Sequence, residues 1–82
     1  MKKYIVAIAT TVDGADQITV SDNAYDNIDD ARTELKHCYD KDLAAISEWD
    51  SEPDYEISKD NEWYYFTTRD GKVFAEIKTL NV

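Results

Sequence analysis

The chain has 82 residues, with eighteen Asp or Glu against nine Lys or Arg and a net charge of −9. That length supports one domain, residues 1–82, with one core and little room for a deep catalytic cleft. The acidity repels nucleic acid and anionic membranes and attracts basic surfaces; no apolar run approaches the roughly 20 residues of a membrane span.

Residues 3–12 predict a first strand. Tyr4, Val6 and Ile8 alternate with Ile5, Ala7 and Ala9, so both parities are apolar. That pattern suits an interior strand covered on both faces. Met1-Lys2-Lys3 before this run imitates the start of a signal peptide, but the apolar stretch is short and Asp13 soon follows. Asp13-Gly14-Ala15-Asp16 predicts a turn, residues 17–20 a short strand antiparallel to the first, and residues 21–26 a polar loop.

Asn27 is placed to cap a helix over about residues 28–48. Asp29 and Asp30 then fall in its first turn, where the helix dipole favours acid. Ile28, Ala31, Leu35, Cys38, Tyr39, Leu43, Ile46 and Trp49 follow helical spacing as its apolar stripe. Residues 50–54 form an acidic connection, with Pro53 as the stop.

Residues 55–80 predict three strands joined by two tight turns. Asp70-Gly71 is a strong hairpin signal. It sets Arg69 opposite Lys72, Thr68 opposite Val73, Phe66 opposite Ala75 and Tyr64 opposite Ile77. A turn at Asp60-Asn61 sets Ile57 opposite Tyr64 and Tyr55 opposite Phe66. Both place Tyr55, Ile57, Tyr64, Phe66, Thr68, Val73, Ala75 and Ile77 on one face. The expected fold class is therefore α+β, a single helix packed on a mainly antiparallel sheet in the order β-β-α-β-β-β.

The opposite face of that sheet holds Glu56, Ser58, Trp63, Tyr65, Thr67, Phe74, Glu76 and Lys78. Trp63, Tyr65 and Phe74 are then clustered aromatics with no helix over them. One reading is a partly exposed, amphipathic sheet face. The other is an interface, for a partner protein or a second copy, because Trp and Tyr rimmed by polar groups are typical anchors.

No catalytic set emerges. His37 and Cys38 are adjacent, so on a helix they diverge by about 100° and make no nucleophile–base pair. The single cysteine excludes an internal disulfide and fits a reducing, cytoplasmic setting. With one His and one Cys the chain has no zinc set, and two glycines make no phosphate loop. Asp22, Asn23, Asp26 and Asp29 share a loop but lack the spacing, central glycine and final glutamate of a helix–loop–helix calcium site. No cofactor or metal is expected.

The charge is uneven. Between Asp13 and Glu62 stand sixteen acids and four bases, a balance of −12, and the remainder of the chain carries +3. Direct nucleic-acid binding is disfavoured, because phosphate contacts need more bases than Arg69, Lys72 and Lys78 supply. Spaced carboxylates can instead occupy the phosphate positions of a basic groove. The acids flanking the helix and the later strands are expected side by side, with Asp26, Asp29, Asp30, Glu48, Asp50, Glu52, Asp54 and Glu56 as the candidate partner-binding set. Solubility alone is the competing account of the same acids.

The run Ile28-Asp29-Asp30-Ala31-Arg32-Thr33-Glu34-Leu35, followed by the hairpin at residues 63–74, resembles small acidic proteins of bacteriophages and mobile elements. Some of these block host defence by imitating nucleic acid, as anti-restriction and anti-CRISPR proteins do. The resemblance covers most of the chain through size, charge and element order, and it transfers no residue roles. It implies a non-enzymatic inhibitor that presents an acidic surface to a basic, nucleic-acid-binding host protein. The alternative is a homodimer through the aromatic sheet face.

Overall fold

The computed structural model describes residues 1–12, 14–21, 23–48, 53–69 and 71–81. The elements run β1 (Lys2–Val12), β2 (Ala15–Val20), α1 (Ile28–Ser47), β3 (Asp54–Ile57), β4 (Trp63–Thr67) and β5 (Gly71–Asn81). The strands form one antiparallel sheet in the order β2-β1-β5-β4-β3, and α1 packs on one side of it. This is the expected α+β architecture.

The helix starts as its sequence dictates. Asn27 is extended and its side chain accepts from the Asp30 N–H at 2.9 Å, while its amide donates to the Asp30 carboxylate at 3.1 Å. One orphan donor of the first turn is thereby satisfied. Ala31, Leu35, Tyr39 and Ile46 are buried on the sheet side, with Cys38 and Leu43 beside them. Trp49, expected at the end of this stripe, lies outside the described residues.

Residues of one parity on each strand meet the helix. Val6, Tyr64, Phe66 and Ala75 are fully buried or nearly so, with Ile8, Ile57, Val73 and Ile77 around them. Phe66 lies along the Tyr39 ring, with centroids 5.4 Å apart and planes 20° apart, and meets Tyr64 edge-on at 5.5 Å. Tyr55 shares this face but stays about half exposed on the edge strand.

The β3–β4 pairing matches its expected register: Tyr55 faces Phe66 and Ile57 faces Tyr64. Asn61 takes the left-handed conformation (φ 57°) that an Asn tolerates. The Ser58 hydroxyl accepts from the Glu62 and Trp63 N–H groups at 2.7 and 3.2 Å, which closes the turn.

The β4–β5 register differs from expectation by two residues. Phe66 faces Val73 and Tyr64 faces Ala75. The Thr68 N–H donates to the Gly71 carbonyl at 2.8 Å, and the Thr68 hydroxyl accepts from the Gly71 N–H at 3.1 Å. The hairpin therefore closes between Thr68 and Gly71 instead of around Asp70-Gly71, and Asp70 itself lies outside the described residues. A shift of two keeps every side chain on its face, so the face assignment survives the change.

The first strand departs further. β1 is interior to the sheet, between β2 and β5, but is covered on one face only. Ile5 and Ala7 are half-buried and Ala9 is exposed. A single helix cannot cover two faces, and nothing else among the described residues lies over the second. β2 begins two residues earlier than expected, and Gly14 takes a positive φ (81°) at its entry.

Candidate functional site

The uncovered sheet face is a built surface. Register alone places Ile18, Ala9, Phe74, Tyr65 and Glu56 in one row that crosses all five strands. The next row holds Val20, Ala7, Glu76 and Trp63. Trp63 and Tyr65, two apart on β4, lie with ring planes 8° apart and centroids at 6.4 Å. Phe74 is 42% exposed and Trp63 36%. The three aromatics picked from the sequence are thus together, on the face opposite the helix. What sequence reasoning missed is their extension through Ile18 and Val20 of β2. The signal was the alternation of Ile18 and Val20 with Gln17 and Thr19.

This face is close to neutral. Its strand positions carry Lys3, Lys72 and Lys78 against Asp16, Asp54, Glu56 and Glu76, while the whole chain is at −9. Glu76 and Lys78 also pair with each other at 2.6 Å. The excess acid therefore lies on the helix and in the connections.

The candidate acids do not gather into one patch. Asp26, Asp29 and Asp30 stand at the start of α1, and Glu48 is its C-cap. A helix of 20 residues separates the two ends by about 30 Å. Asp54 and Glu56 lie on the edge strand β3, opposite Thr67 and Tyr65, and so border the aromatic face. Asp50 and Glu52 lie outside the described residues, as does Asp22 of the calcium reading.

Several of these acids already have partners. Asp26 is paired with Lys3. Asp29 meets Arg32 at 3.2 Å, and the same guanidinium reaches Glu62 at 3.0 Å. Arg32 is thus where the helix start and the β3–β4 connection come side by side, and its charge offsets the acids it joins. The Glu62 carboxylate, followed by Asp29, holds the guanidinium above its ordinary range. Neither Arg32 nor Glu62 stood out in the sequence, because their contact spans 30 residues.

A second pair was equally invisible. The Tyr64 hydroxyl donates to Asp42 at 2.7 Å, from a ring that is fully buried. Burial, then the Asp42 carboxylate, pushes the Tyr64 phenol well above its ordinary range. A raised folded-state value stabilises the fold in full below about pH 10 and is lost as pH rises beyond it. Tyr64→Phe is expected to cost about 1–2 kcal/mol at pH 7 and to flatten the alkaline decline. Urea unfolding at pH 7 and pH 11 checks this; equal losses in both proteins would remove Tyr64 as the cause.

Cys38 is half-buried against the core, and burial with the nearby Glu34 pushes its thiol up to about 11. A thiol of that kind is a packing group, not a nucleophile at neutral pH. His37 is exposed. Among the described residues no three His, Cys, Asp or Glu side chains converge as ligands for an ion.

The helix also leaves part of its own side of the sheet open. A groove of about 730 Å³ runs between the C-terminal half of α1 and the sheet, with Ile8, Val12, Ile46 and Val73 as apolar lining and Thr10, Thr19, Asp42 and Lys72 as polar groups. A smaller one of about 410 Å³ continues past Cys38 and Glu34. Both follow from α1 lying away from β2, whose six residues are all exposed.

The class defined by this geometry is a small α+β domain with one helix-covered and one open sheet face. Comparison with models of known protein families, with curated proteins and with solved structures finds no match to the chain. No helix among the described residues is long and apolar enough to cross a membrane.

Proposed function

We propose that the protein is a non-enzymatic protein-binding module. The observation that carries this reading is the aromatic row on the open sheet face, where Trp63 and Phe74 stand exposed beside a half-buried Tyr65 in a polar rim. Large, stiff aromatic rings supply contact area at small entropic cost. Asp54 and Glu56, on the edge strand beside Tyr65, would steer a basic partner toward that face.

The narrower form of the reading is a phage-type inhibitor of a host nucleic-acid-binding protein, such as a CRISPR or restriction nuclease. Charge supports it, at −9 over 82 residues. The division of the acids between the two helix ends moves weight from a continuous imitation of nucleic acid to the aromatic face with its acidic rim.

The test is retention from a nuclease-treated bacterial lysate, washed across a salt series, with wild type and Phe74→Ser as baits. A basic, nucleic-acid-binding protein held by wild type, shed as salt rises and lost with Phe74→Ser is the expected result. With that partner purified, Asp54→Lys with Glu56→Lys should slow association severalfold; an unchanged on-rate removes this rim from the site. Recovery of bait alone favours the second reading, a homodimer through the aromatic faces, which the near-neutrality of that face supports. Light scattering of wild type against Trp63→Ser decides it, since a monomer at every concentration in both, or equal association of the two, defeats the face-to-face dimer.

A further inference from the structure

We infer that β2 is an edge built to pair with β2 of a second copy, joining two sheets into one. This contact is separate from the aromatic face and stands without the reading above.

The two sheet edges are treated differently. β3 has four residues, follows Pro53 and carries Asp54 and Glu56, all features that discourage strand addition. β2 has six exposed residues with no Pro, Lys or Arg, and its last three are Ile18-Thr19-Val20. Ile18 is 76% exposed. An edge of this kind is a template for another strand.

The backbone direction follows from one hydrogen bond. The Ser21 N–H donates to the Val6 carbonyl at 2.8 Å, in register with the β1–β2 ladder. Polar groups alternate along an antiparallel strand, so Thr19 and Gln17 also turn theirs toward β1. Val20, Ile18 and Asp16 then turn their N–H and C=O groups outward at the free edge.

Those three residues are self-complementary about a two-fold axis through Ile18. Antiparallel pairing there sets Ile18 against Ile18 and Asp16 against Val20 of the other copy. No other centre pairs all three outward residues with one another. The two Asp16 side chains end about 14 Å apart along the strands, at about 3.4 Å per residue, beyond the roughly 8 Å screening length at physiological salt. An axis perpendicular to the sheet also keeps both open faces on one side. The row Tyr65, Phe74, Ala9, Ile18 then runs on unbroken into its counterpart. A contact of one short strand is small, so the association is expected to be weak and concentration-dependent. Salt should tighten it, because each copy carries −9.

Sedimentation across concentration and salt tests the pairing. Wild type should show a monomer–dimer equilibrium that added salt strengthens. Ile18→Pro removes an outward N–H that the β1–β2 ladder does not use, so the variant should fold and remain monomeric. Ile18→Asp and Ile18→Lys each alter an exposed side chain at the centre of the contact and should weaken association at least tenfold. Mixed together, the two should form a heterodimer in native mass spectrometry, because only the Ile18–Ile18 pairing brings the introduced charges face to face. Trp63→Ser should dimerise as wild type does. A wild type that stays monomeric, a dimer that Ile18→Pro leaves intact, or an Asp/Lys mixture that stays monomeric each overturns the inference.

Discussion

Gly71→Ala should destabilise the protein by about 3 kcal/mol, a fall in Tm of roughly 15–20 °C for a domain of this size. Gly71 faces Val12 across the β1–β5 ladder. A Cβ there would overlap the Thr11 carbonyl oxygen and sit 3.1 Å from its carbon and 3.2 Å from the Val12 Cα. All three are backbone atoms of a strand hydrogen-bonded on both sides, so none can turn away as a side-chain tip would. Gly14→Ala is the matched control. Open space surrounds Gly14, but its φ of +81° disfavours any L side chain. That cost is about 1 kcal/mol. Urea unfolding of the two variants ranks them. If Gly14→Ala proved the more damaging, the close approach of Gly71 to β1 would be wrong.

Phe66→Ala should cost about 4 kcal/mol, a large part of the roughly 4–12 kcal/mol expected for 82 residues. Phe66 has no exposed surface and lies between the helix and the sheet. Its ring contacts Tyr39 at 5.4 Å, Tyr64 at 5.5 Å and Tyr55 at 5.9 Å. Truncation leaves a cavity walled by stiff rings, and such walls relax little, so the cavity term adds to the lost transfer energy. Phe74→Ala deletes the same atoms from the open face, where the ring is already 42% exposed. The expected cost there is about 1 kcal/mol. Denaturant titration of this pair identifies the core face of the sheet directly. Equal losses would mean that both faces are covered in solution, and dilution would then show whether a second molecule covers the open one.

Much of the fold was legible because it is local. The cap at Asn27, the acids in the first turn and the stripe Ala31, Leu35, Tyr39, Ile46 are properties of one continuous segment. Strand parity is similarly local. It placed Tyr64, Phe66 and Ala75 inside and Trp63, Tyr65 and Phe74 outside, and that survived a register two residues from expectation.

The β3–β4 register was legible, but the β4–β5 register was not. Asp70-Gly71 reads as a turn pair because glycine admits a positive φ. Gly71 does not use that freedom, since Gly14 is the positive-φ glycine among the described residues. Its lack of a side chain is needed against Thr11, 60 residues earlier in the chain. A requirement set by so distant a neighbour leaves no local trace.

The candidate site divides along the same line. The aromatic cluster followed from alternation within two adjacent strands. The acidic surface was assembled from nearness in sequence, and a rigid helix then carried its two halves to opposite ends.

The amino-acid sequence by itself determined which segments are helix and strand, which side of each is apolar, and where the net charge of −9 is concentrated. Each of these is decided by residues a few positions apart. Only the tertiary structure decided that β1 lies beside β5, which face of β1 the helix covers, and that β2 is left as an open edge. Those outcomes depend on how many apolar surfaces compete for a single helix. Both parities of β1 are apolar, and its sequence cannot say which of them the helix will leave uncovered.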